Sequence, residues 1–258
     1  MRLSSSNGMR KRGLFITGTD TGVGKTLVTA SLAVGLQRRG FSVAVMKPVA
    51  TGATLREDGT GALSLVAADT VILRNATKRE EPTRVMTPYV FELPASPHLA
   101  AARAGTEIDP RLILDTFHGL AGRYPGVLVE GVGGLLVPLR DDWCVADMAR
   151  CFGLPIVVVA RSSLGTLNHT LLTLEAARSR GLDIAGVIFS QTERPQKPDE
   201  PWSMIERDNM ATIQRLGSAE ILGAIPYLSG LNDEDPVAVY EQPEKYIDWD
   251  KVVIFFNE

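Results

Sequence analysis

The stretch GTDTGVGKT, Gly18 to Thr26, sets glycines, a lysine and a hydroxyl in an order suited to holding phosphate. Backbone N–H groups of such a loop, and of the helix it opens, point at an anion. Lys25 can lay its ammonium on the β- and γ-phosphates, and the Thr26 hydroxyl can ligate Mg²⁺, a hard ion that takes oxygen donors. The usual spacing leaves four residues between the first glycine and the G-K-[ST] end. Here five, Thr19 to Val23, separate Gly18 from Gly24, and one of them is Asp20. Two other groups belong to the same chemistry. MKPVATG, Met46 to Gly52, carries Lys47 at the end of an apolar run, where a charge is costly without an anionic partner. VEGVGG, Val129 to Gly134, carries Glu130, a carboxylate able to complete a metal shell directly or through water. Blander readings stand beside these: a solvated lysine at a strand end, and an acid that caps a loop.

Positioning such groups requires a scaffold that brings distant strand ends together. Short β-branched runs recur at 13–18, 42–47, 126–131, 155–160, 184–190 and 220–226, with little polar alternation, as in strands buried on both faces of a parallel sheet. Helical spacing lies between them at 25–39, 63–74, 110–123, 168–180 and 204–216. The alternation predicts an α/β fold: a doubly wound, mainly parallel sheet of about seven strands with helices on both faces. Ligands of such folds sit beyond the carboxyl ends of the strands. The proline-rich 75–108 segment reads as a long irregular connection over that edge, and 193–201 as an exposed, mobile loop. Residues 1–12 read as a flexible tail, and 13–258 as a single domain.

Bulk properties narrow the partners. A net charge of -3 over 258 residues supplies no basic field for nucleic acid or an anionic membrane. No run approaches the roughly 20 apolar residues of a membrane span, and no secretory signal is visible. Cys144 and Cys151 show neither a disulfide framework nor zinc-ligand spacing, so a reducing cytoplasm is expected. A small-molecule substrate fits these properties.

Taken together, GTDTGVGKT, KPVATG, SPH at 96–98, VEGVGG, LGTLNH at 164–169 and LGAIP at 222–226 resemble the dethiobiotin synthetase family in order and spacing, over roughly residues 13–230. The resemblance implies a P-loop NTPase fold, ATP as co-substrate and Mg²⁺ as cofactor. It implies carboxylation of 7,8-diaminononanoate by CO₂, then ring closure through a carbamate and a carbamic-phosphoric anhydride. Carried over by position, Lys25 and Lys47 neutralise charge on the phosphoryl and carbamate groups, and Thr26, Asp69 and Glu130 hold the metal. For Asp69 a helix-surface aspartate remains the alternative. Thr21 and Thr51 bond the substrate, and Asp20 holds an amine or orients the loop. Gly18, Thr19, Gly22, Val23, Gly24 and Leu27 complete the nucleotide loop, with Gly133 beside it.

The resemblance also implies a homodimer with shared sites. In the family the stretch Leu164, Gly165, Thr166 to Asn168 comes from the neighbouring subunit and takes the substrate's distal carboxylate at a helix start. From the residues alone, a plain capped helix fits as well. The family tends to present an asparagine to the base where this chain has Ser190 and Gln191; backbone near Pro226 and Tyr227 is expected to line the base pocket. His98 reads as pocket lining, and His118 and His169 as helical packing. A partitioning or division-site ATPase shares the fold class but carries lysine where Asp20 stands, and the acid is wrong for that role.

Overall fold

Apolar runs bounded by glycine or proline become the strands, and the phosphate loop lies where two of them diverge. The computed structural model describes residues 12–57, 62–78, 81–194, 202–228 and 242–257. The order is β1 (Gly13–Gly18), α1 (Lys25–Arg38), β2 (Val43–Met46), β3 (Val49–Thr51), β4 (Thr54–Glu57), β5 (Leu63–Val66) and α2 (Ala68–Thr77). Then come α3 (Thr83–Met86), β6 (Tyr89–Phe91), α4 (Pro97–Arg103), α5 (Pro110–Arg123), β7 (Gly126–Gly134), β8 (Pro138–Arg140) and β9 (Trp143–Cys144). The chain continues through α6 (Val145–Phe152), β10 (Ile156–Ala160), α7 (Thr166–Ser179), β11 (Ile184–Ser190), α8 (Met204–Gly217) and β12 (Ile221–Ile225). A 3₁₀ turn, Pro243–Tyr246, and a short helix, Trp249–Val253, follow.

Six parallel strands form the main sheet in the order β12-β11-β10-β1-β7-β2. The doubly wound α/β architecture is as expected. Among the described residues the strand count is six, not about seven, and three two-stranded sheets stand apart from the main one. The order reverses at β1: the chain first builds toward β2, then crosses back to β10. That reversal opens a crevice at the carboxyl end of β1, the place where such folds bind ligands.

Alternate residues of each central strand serve opposite cores, which explains the near-continuous apolar runs. Leu14, Ile16, Leu128, Val157 and Val159 face the layer of α1 and α2; Phe15, Val127, Val129, Ile156 and Val158 face that of α5 and α6. Both sets are buried, so a charged side chain on either face is costly unless it is paired. The α1 helix is buried along most of its length because α2 and the C-terminal 3₁₀ turn cover its outer side. Glu244 in that turn accepts from Arg38 and Arg39 at 2.7 and 2.5 Å, binding the end of the chain to α1.

Two expectations are corrected. Residues 63–74 do not form one helix: Leu63–Val66 pairs antiparallel with Thr54–Glu57, and α2 begins only at Ala68. The apolar spacing of LSLV suits either structure, and the hairpin partner decides it. Nor is 75–108 irregular throughout, because β6 pairs with β3 and α4 is launched by Pro97 at its first turn. Most of 193–201 and nearly all of the tail at 1–12 lie outside the described residues.

The α5–α6 layer is held by aromatic contacts, Phe117 on Phe152 with ring centres 4.4 Å apart and Phe152 on Phe15 at 6.0 Å. All three are fully buried. Phe117→Ala is expected to destabilise the fold by about 3–5 kcal/mol, read as a lowered denaturation midpoint with an unchanged m-value; a loss near zero would contradict this packing.

Candidate active site

At the crevice a cavity of about 680 Å³ is lined by Thr21, Gly22, Gly24, Lys25, Thr26, Lys47, Thr51, Asp69, Glu130 and Gly133. Ten residues singled out from the sequence thus meet in one space, supplied by the ends of β1, β2, β3 and β7 and the starts of α1 and α2. Pro94, Ala95, Ser96 and Pro97 line it from above, as expected of the 75–108 segment, and Val132, Val137 and Thr192 complete it.

The loop owes its shape to glycine at Gly24, where φ is 89°. A Cβ there would also lie 2.5 Å from the Ser190 Oγ. Both conditions exclude a side chain. Lys25 folds back along the loop, and its Nζ donates to the Asp20 carbonyl at 2.9 Å. Burial, and secondarily the neighbouring Lys47 charge, pull the Lys25 pKa down to about 8. The loop therefore holds a cation poised for an incoming anion.

Deeper in, Lys47 is buried with its Nζ 2.5 Å from Glu130 Oε1 and 2.8 Å from Asp69 Oδ2. Thr26 Oγ1 donates to the same Glu130 oxygen at 2.9 Å. Glu130 is fully buried, and its second oxygen, Oε2, has no partner. Burial pushes the Glu130 carboxyl up while Lys47 pulls against it. Burial opposes the charge on Lys47, but Glu130 and Asp69 outweigh it and raise its pKa. For Asp69, burial is overcome by Lys47, and the carboxyl is held low. We read a charged Lys47 as the counter-cation of this acid pair.

The three positions matched to a metal, Thr26, Asp69 and Glu130, therefore converge around one point. They offer hard oxygens, including an orphaned carboxylate oxygen, and this donor set fits Mg²⁺. Among the described residues no group of three or more His, Cys, Asp or Glu side chains is placed to hold a metal.

Other positions depart from this centre. The Asp20 carboxylate accepts from the Thr21 N–H at 2.7 Å and from Arg161 at 3.1 Å, and Arg161 also donates to the Thr21 carbonyl. These bonds tie Asp20 to its own loop and to Arg161, which follows β10 and which the sequence pattern did not flag. Gly18, Thr19, Val23 and Leu27 stand behind the lining; Val23 is fully buried. Ser190 is buried beneath Gly24 with its hydroxyl unpartnered, and Gln191 is engaged by Glu206 and by the Tyr227 N–H. Neither Pro226 nor Tyr227 lines the cavity, and neither do Leu164, Gly165, Thr166 and Asn168. Leu164 is 95% exposed. His98 lines a neighbouring cavity of about 440 Å³ instead, and His169 is exposed rather than packed.

Comparison with known proteins separates fold from family. A ParA family ATPase from Chlorobium tepidum TLS superposes with a TM-score of 0.53 at 16% identity, covering 93% of this chain and 98% of that one. The Pyrococcus furiosus cell division ATPase MinD gives 0.52 at 16%, covering 93% and 99%. At that identity the likeness concerns the fold alone. A family profile described as AAA domain matches residues 12–235. The ATP-dependent dethiobiotin synthetase BioD of Anaeromyxobacter dehalogenans is 41% identical over 216 residues, 84% of this chain and 90% of the relative. The chain belongs to the dethiobiotin synthetase family. A relative with the same description from Thermodesulfovibrio yellowstonii is 38% identical over 87% of this chain and 92% of its own length. Another, from Anoxybacillus flavithermus, is 37% identical over 88% and 96%. The chain is an ATP-dependent ligase on a P-loop α/β fold. Among the described residues no helix is long and apolar enough to cross a membrane.

The depressed Lys25 pKa has a consequence for binding. A triphosphate favours the charged lysine, which the free enzyme loses as pH rises through about 8. In EDTA, nucleotide affinity should fall between pH 7 and 9 with proton uptake in the upper part of that range, and Lys25→Arg should flatten the profile. Calorimetry in buffers of different ionisation enthalpy measures both; a pH-independent wild-type affinity would contradict a perturbed Lys25.

Proposed function

We propose that this chain closes the cyclic urea of dethiobiotin from 7,8-diaminononanoate, CO₂ and Mg-ATP, releasing ADP and phosphate. The observation that carries the reading is the meeting of Lys25, Lys47, Thr21, Thr51 and the Glu130–Asp69 pair around one cavity. Each chemical stage needs what that cavity offers.

One amine adds its lone pair to the carbon of CO₂ and loses a proton, giving a carbamate. A carbamate oxygen then attacks the γ-phosphorus; the bond to the β-phosphate oxygen breaks and ADP departs. The second amine attacks the anhydride carbon, the C–O bond breaks, phosphate leaves, and loss of a proton completes the ring. Negative charge grows at the transferring phosphoryl group and at the carbamate, so fixed ammonium groups lower the barrier. Lys25, on the phosphate loop, serves the phosphate side; Lys47, from the end of β2, serves the carbamate side. Thr21 and Thr51 hydroxyls flank the cavity and can hold the two amines in one orientation, which substitutes positioning for encounter. Pro94 to Pro97 roof the cavity and limit the water that would hydrolyse the anhydride. Thr26, Asp69 and Glu130 would hold Mg²⁺, which when bound neutralises phosphate charge.

The far carboxylate of the diamine needs a separate anion site. Gly165, with φ of 94°, precedes α7, a 14-residue helix whose start carries the positive end of its dipole. Leu164 projects almost fully into solvent beside it. This supports a homodimer in which one protomer's Leu164–Asn168 segment completes its partner's site. A cytoplasmic setting agrees with the small, soluble substrates.

Phosphate release should depend on the diamine and bicarbonate together, with dethiobiotin as product. Equal release without the diamine, or release driven by DNA or lipid vesicles, would favour a nucleotide switch instead. Lys47→Ala should lower kcat by roughly 10²–10³ while nucleotide affinity changes less than about fivefold, the pattern of a charge acting on the transition state. A parallel loss of binding and turnover would remove Lys47 from that role.

A further inference from the structure

We propose that Glu206, at the start of α8, is a positioning residue that clamps two strand-end loops against the phosphate loop and so sets nucleotide affinity. The inference rests on the site proposed above for the nucleotide.

The Glu206 carboxylate has four donors. Its Oε1 accepts from Ser162 Oγ at 2.6 Å and from Gln191 Nε2 at 2.7 Å. Its Oε2 accepts from the Ser203 N–H and the Ser203 hydroxyl, both at 2.9 Å. Ser162 follows β10, and Gln191 follows β11, so one side chain joins loops 29 positions apart in sequence, from 162 to 191. Asn209, one turn further along α8, is buried and donates to the Ser162 carbonyl at 3.0 Å. Burial works against the Glu206 charge, but the bonds from Ser162, Gln191 and Ser203 outweigh it and keep the carboxyl ionised.

Both clamped loops touch the nucleotide loop. Arg161, beside Ser162, holds Asp20 and the Thr21 carbonyl. Ser190, beside Gln191, lies under Gly24, and Thr192 lines the cavity. The orientation of Gln191 is fixed by elimination. The Tyr227 N–H can only donate, so the atom it meets at 3.0 Å is the amide oxygen. The amide NH₂ then points at Glu206. Both ends of Gln191 are therefore spent on the protein, and its role is to tie the end of β12 to the clamp.

A capping box alone would explain the Ser203 contacts, since Ser203 also accepts from the Glu206 N–H at 3.3 Å. It does not explain the Ser162 and Gln191 contacts, and variants separate the two roles. Glu206→Gln is isosteric but brings an NH₂ into a site made for an acceptor. Turned toward Gln191, it meets another NH₂ unless Gln191 flips and orphans the Tyr227 N–H; turned toward Ser203, it orphans that N–H. The exchange Q191E/E206Q restores complementarity, because a carboxylate at position 191 would accept both from the new amide at position 206 and from the Tyr227 N–H.

Binding of a non-hydrolysable ATP analogue, measured by calorimetry on the full chain, provides the test. E206Q should weaken affinity about tenfold, and Ser203→Ala should leave it within about twofold while lowering the melting temperature comparably. Q191E/E206Q should recover most of the affinity. Equal losses in E206Q and S203A, no loss in E206Q, or no recovery in the exchange would each overturn the positioning role. Because the readout is binding, it stands even if wild-type phosphate release proves independent of the diamine, an outcome that would overturn the proposed reaction alone.

Discussion

A fully buried carboxylate in the middle of a central strand is the constraint around which this site is arranged. Glu130 sits on β7 opposite Ile16, between two apolar cores, where an uncompensated charge would cost several kcal/mol. Its cost is offset by Lys47 from the neighbouring strand β2, by the Thr26 hydroxyl from α1 and, through Lys47, by Asp69 from α2. Three elements must therefore reach the same point for the charge to be tolerated. The contact is as much a condition on the fold as a feature of the chemistry.

That arrangement leaves the site electrically prepared. Two ammonium groups and two carboxylates share a small volume, and none of the four has its ordinary proton affinity. Burial and Lys47 make Lys25 give up its proton more readily, so an arriving triphosphate gains by securing its charge. Lys47 is the opposite case, charged because acids surround it. The two carboxylates that balance Lys47 also carry an oxygen it does not use, Glu130 Oε2, so one acid pair faces both demands. Such opposed environments for chemically similar groups are typical of sites that manage charge during a reaction.

The likeness to ParA and MinD proteins shows how little the scaffold says about use. A strand, a phosphate loop and a helix at a sheet reversal hold a nucleotide in switches and in synthetic enzymes alike. In this chain that crevice is lined by Lys47 after β2, Glu130 on β7 and the segment Pro94 to Pro97, with Asp20 in the loop beside it. The family assignment rests on the curated relatives and not on the scaffold.

Composition and pattern alone determined the layered α/β class and all six main strands, and brought Lys25, Thr26, Lys47 and Glu130 forward as candidates, because each depends on local chemistry. A buried parallel strand needs a continuous apolar run, and Gly24 before Lys25 needs a backbone that other residues avoid. Pattern failed where a segment's partner is remote. Residues 63–66 are equally apolar as helix or strand, and only pairing with 54–57 makes them a strand. Gln191 follows a strand with no partner visible in its neighbours, and only the fold brings it to Glu206 and the Tyr227 N–H. Arg161 and Glu206 carried no functional spacing of their own, although S-x-x-E at Ser203 to Glu206 marks a helix start. Their roles arise from bonds across 141 and 44 positions of sequence. Only tertiary structure decides such contacts, since a side chain's partner across that distance is set by how the sheet is ordered and not by its neighbours in the chain.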